Sequence, residues 1–245
     1  MIKLFYAIGD SFVFGQEMGP PLTPENYLIF DDYKRSHCYT GIISDTLKIE
    51  NYKNSSGPAG SNERSHRVLI NEISEALLIY KPEEIFVSVG LTSPTRREFC
   101  MSEVGQYFRF MHVYAPNVDH NIPCYDLWNI LVKDFGYDHG YEMFNIMQML
   151  AIQNFLRINK IPYLMSYSLR SIAGLMTTHK YVPKSLLKQL YATRIYSGRS
   201  FDEFTRTSGY KIGEGNHPLE EAHAAWAEYI LSHITRNNLT DNTDL

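Results

Sequence analysis

A chain of 245 residues with 44% hydrophobic and 20% charged side chains has the composition of a globular protein with a substantial core, not of a disordered one. Its net charge of −4 excludes the global basic field of a nucleic-acid binder. Arg64, His66, Arg67, Arg96 and Arg97 make only a local cluster, read as a solvated helix start and loop. Cys38, Cys100 and Cys124 are odd in number and lack metal-type spacing, which points to free thiols in a reducing compartment. The short N-terminal apolar run ends at Gly9-Asp10 rather than at a small-residue cleavage site, and no stretch approaches the ~18 apolar residues of a membrane span. The expectation is a cytoplasmic protein with no membrane partner and no nucleic acid.

In chain order, Ile2 to Ile8 is almost continuously apolar and predicts a short strand buried on both faces, as in a parallel sheet. Gly9 and Asp10 turn the backbone and leave Ser11 at the strand's carboxyl end, the edge where open α/β sheets bind ligands. A loop rich in Gly and Pro follows, and Ser36 is expected to cap a helix running to about Leu47. Leu47 to Tyr52 reads as a second strand. Asn54 to Asn62 then forms a turn-rich loop whose glycines allow close backbone approach to a ligand. Ser61 or Asn62 caps the next helix, with Leu69, Ile70, Ile73, Leu77 and Tyr80 at helical spacing until Lys81-Pro82 ends it.

Ile85 to Gly90 is the clearest strand after the first and empties into Leu91-Thr92-Ser93-Pro94. Tyr141 to Asn159 is helical, Ile161 to Tyr167 is a strand, and Ser185 to Tyr191 contains a helical piece. Near the C-terminus, Glu214-Gly215-Asn216-His217-Pro218 precedes a helix on which Leu219, Ala222, Trp226, Tyr229, Ile230 and Ile234 recur. Pro218 suits the first helical position, and His217 is held at that helix start. His223, among Leu219, Ala222 and Trp226, reads as structural. No composition shift marks a boundary, so residues 1–245 are expected to form one domain with insertions near 98–139 and 169–209.

The strand–helix alternation predicts a three-layer αβα sandwich with a central parallel sheet. It gathers Ser11, the Gly57/Gly60 loop and the Thr92 loop at one edge, with His217 as a fourth member. The chain resembles the SGNH, or GDSL-type, hydrolase superfamily through Gly9-Asp10-Ser11, Asn54 to Asn62 with Gly60, and Glu214 to His217 followed by Pro218 and its helix. The segment Gly90 to Phe99 is also similar to phage-encoded members of that superfamily, which would place the protein in the cytoplasm of an infected cell.

The resemblance implies a nucleophile at Ser11, a base at His217 and, three residues before it, an acid partner at Glu214, where the family has Asp. The oxyanion donors would be the Ser11 and Gly60 N–H groups, with Gly57 as second choice. Thr92 stands where the family has an asparagine, so either its hydroxyl substitutes or Asn62 reaches in. The implied activity is serine-dependent hydrolysis of an acyl or O-acetyl ester on a small molecule or glycan, without a cofactor. Two alternatives are an acyltransferase and a catalytically weak SGNH-like domain that binds a ligand or partner. Histidine–aspartate pairs such as His112, Asp119 and His120, or Asp138 and His139, lack metal-site spacing, and no metal is expected.

Overall fold

The computed structural model describes residues 1–19, 27–58, 60–94, 96–100, 108–112, 139–169 and 183–241. Four parallel strands form the central sheet: β1 (Leu4–Ile8), β2 (Asn51–Asn54), β3 (Ile85–Leu91) and, after the hairpin described below, β6 (Tyr163–Tyr167). Their order is β2-β1-β3-β6, with Phe5 opposite Tyr52 on one side and Phe86 on the other. Beyond β6, Ile195 makes a single parallel bridge to Met165. Because the chain leaves β1 in one direction for β2 and returns to its other side for β3, β1 lies at the topological switch point. There the loops diverge and leave a crevice at the carboxyl ends.

The continuous apolar runs of β1 and β3 are fully buried because helices cover both faces of the sheet. Leu4, Tyr6 and Ile8 face α4 (Asn62–Ala76) and α5 (His139–Ile158), together with Leu69, Ile73, Met149 and Ile152. Phe5 and Ala7, one residue out of phase, face the other layer. That layer is built from α1 (Ser11–Phe14), α2 (Tyr27–His37), α3 (Tyr39–Thr46), α7 (Phe201–Thr207) and α8 (Glu220–Arg236); a one-turn helix, α6 (Lys184–Leu187), precedes α7. This is the expected three-layer αβα arrangement.

Several local expectations are corrected. The helix expected from Ser36 to Leu47 is two helices, broken where Cys38 takes an extended conformation as the N-cap of α3. The second strand begins at Asn51, not Leu47, because Leu47 to Ile49 terminate α3: Lys48 adopts a left-handed φ of 57° and the Ile49 N–H donates to Ser44 O. The last helix starts at Glu220 with Leu219 as its cap, while Pro218 lies before it in an antiparallel bridge with Ile212. Ser61 caps α4 as expected, its hydroxyl accepting the Arg64 N–H at 3.1 Å. Of the two expected insertions, residues 101–107, 113–138 and 170–182 lie outside the described residues. The first contributes an antiparallel hairpin of β4 (Arg96–Cys100) and β5 (Phe108–His112).

Candidate active site

The residue that ends β1 determines how Ser11 is presented. Gly9 sits where a Cβ would meet the Val13 side chain and lie 2.9 Å from Gly90 O, so β1, β3 and α1 approach closely only because it is glycine. Asp10 then caps α1, its Oδ1 accepting the Phe12 N–H at 3.0 Å. Ser11 is the first residue of that helix. The β2 loop is tied to the same turn by Ser55 N–H to Ala7 O at 2.9 Å and Gly57 N–H to Gly9 O at 3.2 Å. Ser11 lies in a cleft of about 450 Å³ whose walls include Phe12, Pro58, Arg96, Leu169, Asn216 and His217. A larger groove of about 600 Å³ beside α8, lined by Tyr196, Phe204, Tyr229 and His233, contains neither Ser11 nor His217.

His217 does meet Ser11. Its Nε2 is 2.9 Å from Ser11 Oγ, across 206 positions of sequence. Its Nδ1 is 2.8 Å from Glu17 Oε2. A carboxylate can only accept, so Nδ1 carries the proton and Nε2 presents its lone pair to the Ser11 hydroxyl. Glu17 also fixes the loop that carries the imidazole: Oε1 accepts the Gly215 N–H at 2.6 Å and Oε2 the His217 N–H at 3.1 Å. Partial burial pushes the Glu17 carboxyl up, but these hydrogen bonds outweigh it and hold the group below its ordinary pKa. Glu17 adopts a φ of 68°, a left-handed conformation that costs a non-glycine residue of order 1–3 kcal/mol and that its carboxylate contacts help to hold.

Glu214, the acid expected from the sequence, does not reach the imidazole. Gly213 N–H to His217 O (2.8 Å) and Asn216 N–H to Gly213 O (3.0 Å) close a tight turn, and Glu214 is exposed on it. The position it was expected to take is filled from the opposite end of the chain by Glu17. The signal for Glu17 was faint: a lone carboxylate six residues after Ser11, just past the left-handed glycine that ends α1.

Apart from the Ser11 N–H, the expected oxyanion donors of Gly57, Gly60, Thr92 and Asn62 are already engaged elsewhere. The Gly60 N–H donates to Gly57 O at 3.0 Å. The Gly57 N–H is spent on Gly9 O. Thr92 Oγ1 donates to Asp10 Oδ2 at 2.7 Å and its N–H to Asn62 Oδ1 at 2.9 Å. The Asn62 amide donates in turn to Thr92 O at 3.3 Å and to Asn145 Oδ1. Gly60, Thr92 and Asn62 are buried and lock the ends of β1 and β3 to the start of α4.

Arg96 is the cation brought beside them. Expected in a solvated cluster, it is instead 8% exposed, with Nη1 3.0 Å from Asp10 Oδ2 and 3.5 Å from Gly60 O. Burial pushes its pKa down and Asp10 opposes that shift. Of the other members of that cluster, Arg67 forms a two-pronged ion pair with Glu98 and Arg64 donates to Ser55 O, and the Arg97 side chain lies outside the described residues. His223 is structural, fully buried, with Nδ1 accepting the Tyr39 N–H at 3.2 Å and its pKa pushed down to about 3 by burial. Cys38 is a buried free thiol whose pKa burial raises. Among the described residues no three His, Cys, Asp or Glu side chains cluster as metal ligands, and no helix is long and apolar enough to cross a membrane. Asp119, His120 and Asp138, and the side chains of His112 and His139, lie outside what the structure describes.

Parallel strands in the order β2-β1-β3-β6, with Ser11 and His217 in contact at their carboxyl edge, define an α/β protein with a serine–histidine pair at the edge of its sheet. The chain belongs to a family of unknown function, DUF6071, whose model matches residues 25–245. The search of curated protein sequences found no match. Solved structures similar to this chain include a member of the lipolytic protein G-D-S-L family from Veillonella parvula, 16% identical over 95% of this chain and 98% of that one, with a TM-score of 0.47. TesA is 13% identical over 96% and 99%, with a TM-score of 0.48. The psychrotrophic esterase EstA from Pseudoalteromonas is 10% identical over 96% and 97%, with a TM-score of 0.47.

Proposed function

We propose that the chain is a serine-dependent ester hydrolase in which Ser11, His217 and Glu17 act as nucleophile, base and orienting acid. The observation that carries this reading is the continuous relay from Ser11 Oγ through the imidazole to Glu17, at 2.9 and 2.8 Å, open to a cleft. Ser11 Oγ attacks the ester carbonyl carbon as His217 Nε2 takes its proton. The carbonyl π pair moves onto oxygen, giving a tetrahedral oxyanion. Collapse of that intermediate breaks the bond to the alcohol, which leaves with the proton from Nε2, and an acyl-serine remains. Water, deprotonated by Nε2, attacks the acyl carbon; Ser11 Oγ departs with that proton, and the acid is released. Glu17 holds the imidazole in the productive tautomer and stabilises the imidazolium. The cleft mixes Phe12 and Leu169 with the polar side chains of Gln16, Arg96, Asp202 and Asn216, which suits a small acyl group on a polar alcohol, such as an O-acetyl ester of a small molecule or glycan.

Two assays test the reading: hydrolysis of p-nitrophenyl acetate and labelling by a fluorophosphonate. Wild type is expected to turn over and label, and Ser11→Ala to do neither. A folded wild type inert to both overturns the esterase and leaves a binding domain as the better account.

A further inference from the structure

We propose that Arg96 is a catalytic residue of this site, donating to the oxyanion in place of the donors that the fold has committed elsewhere. The inference rests on the esterase reading and goes beyond it. An acyl-transfer site needs hydrogen-bond donors aimed at the oxygen on which charge develops. Gly57, Gly60, Thr92 and Asn62 have spent theirs on Gly9, Gly57, Asp10 and Asn145. Of the donors that line the cleft, the Ser11 N–H has no acceptor among the described residues and the Arg96 guanidinium is the buried side chain, whereas Gln16 is half-buried and Arg206 and Asn216 are exposed.

Arg96 has the attributes this role demands. It lines the same cleft as Ser11 Oγ and His217. It is more than nine-tenths buried, so its charge acts through little intervening water. Asp10 and Gly60 O engage only Nη1; its Nε is buried with no partner, and Nη2 has none among the described residues. A buried donor without an acceptor is costly unless something occupies it during the working cycle. Asp10 anchors both participants, since Oδ1 caps the turn that presents Ser11 and Oδ2 receives Arg96 and Thr92. The guanidinium is therefore positioned by the same carboxylate that positions the nucleophile. Thr92, at the position where an amide was expected, helps hold that carboxylate and leaves the oxyanion to the arginine.

The test compares wild type with Arg96→Gln, and Asp10→Asn with Asp10→Asn/Arg96→Gln. The second pair removes the problem of leaving Asp10 buried without its cation. With p-nitrophenyl acetate, loss of Arg96 is expected to lower kcat by ~10²–10³ in both backgrounds, with KM within about threefold. Inhibition by an aryl trifluoromethyl ketone, whose serine adduct carries the same oxyanion, weakens by the factor lost in kcat/KM. Wild-type kcat in a folded Arg96→Gln, a raised KM with kcat intact, or a double variant matching Asp10→Asn would overturn the role of Arg96. In those cases a dead Ser11→Ala beside an active parent leaves the esterase standing. An inert parent removes the esterase and this role together.

Discussion

Glu17 shows how far a single side chain can lie from where a motif places it. The reading of Glu214 rested on a spacing, three residues before a histidine, and spacing says nothing about which way a tight turn points its side chains. Glu17 serves as both orienter and clamp, so Glu17→Gln is expected to lower kcat for ester hydrolysis by ~10³–10⁴, because the amide no longer selects one tautomer. Glu214→Ala is expected to stay within about threefold, and the same kinetic assay decides between the two carboxylates. Arg96 was illegible for a related reason. A basic run in sequence reads as a solvated face, and only the fold shows that Arg96 turns inward to Asp10 while Arg67 pairs with Glu98 nearer the surface. His223 was legible as structural, because its position on the apolar face of the last helix foretold its burial. Its pKa is pushed from 6.5 down to about 3, so the unfolded chain binds a proton there that the folded chain refuses. The stabilisation is complete above about pH 6.5 and is lost as pH falls toward 3. His223→Gln is expected to flatten the dependence of urea-unfolding free energy on pH between 6 and 4, by up to about 1.4 kcal/mol per pH unit.

At the scale of elements, periodicity served best where it ran longest. β1 and β3 declared themselves by uninterrupted apolar runs, and α4, α5 and α8 by recurrences every three or four residues. Helix α8 buries Ala222, His223, Trp226, Ala227, Ile230 and Ile234 on one face. Trp226 is the largest of these, stacked 5.2 Å from Phe201 with ring planes 11° apart. Trp226→Ala is expected to cost ~3–5 kcal/mol in chemical denaturation, since the cavity would open between α7 and α8 where neither can collapse freely. The short elements were hard to place. Cys38 breaks a helix that its flanking pattern would continue, because its thiol donates to Val13 O and its neighbour's N–H meets His223, contacts 25 and 184 residues away. Such long-range hydrogen bonds override local propensity and leave no trace in a window of sequence.

For the whole molecule, the alternation of strands and helices makes the central sheet parallel, and the structure gives it the order β2-β1-β3-β6. It accounts for the meeting of loops at one edge of the sheet, and that gathering was legible from sequence. What closes the two ends of the chain together was not. Glu17 receives Gly215 and His217, while Glu220 receives the Gly19 N–H at 3.1 Å and the Tyr33 hydroxyl at 2.7 Å. Two carboxylates, one from each terminal region, thus stitch the same seam from opposite sides.

That seam has a temporal consequence. A ribosome delivers the Ser11 hydroxyl 206 residues ahead of the His217 imidazole, so on the proposed reading the serine waits without its base while that intervening length is made. If the esterase proposal holds, reactivity arrives only when helix α8 docks and brings His217 to Ser11, which makes activity a report that this layer of the sandwich has closed.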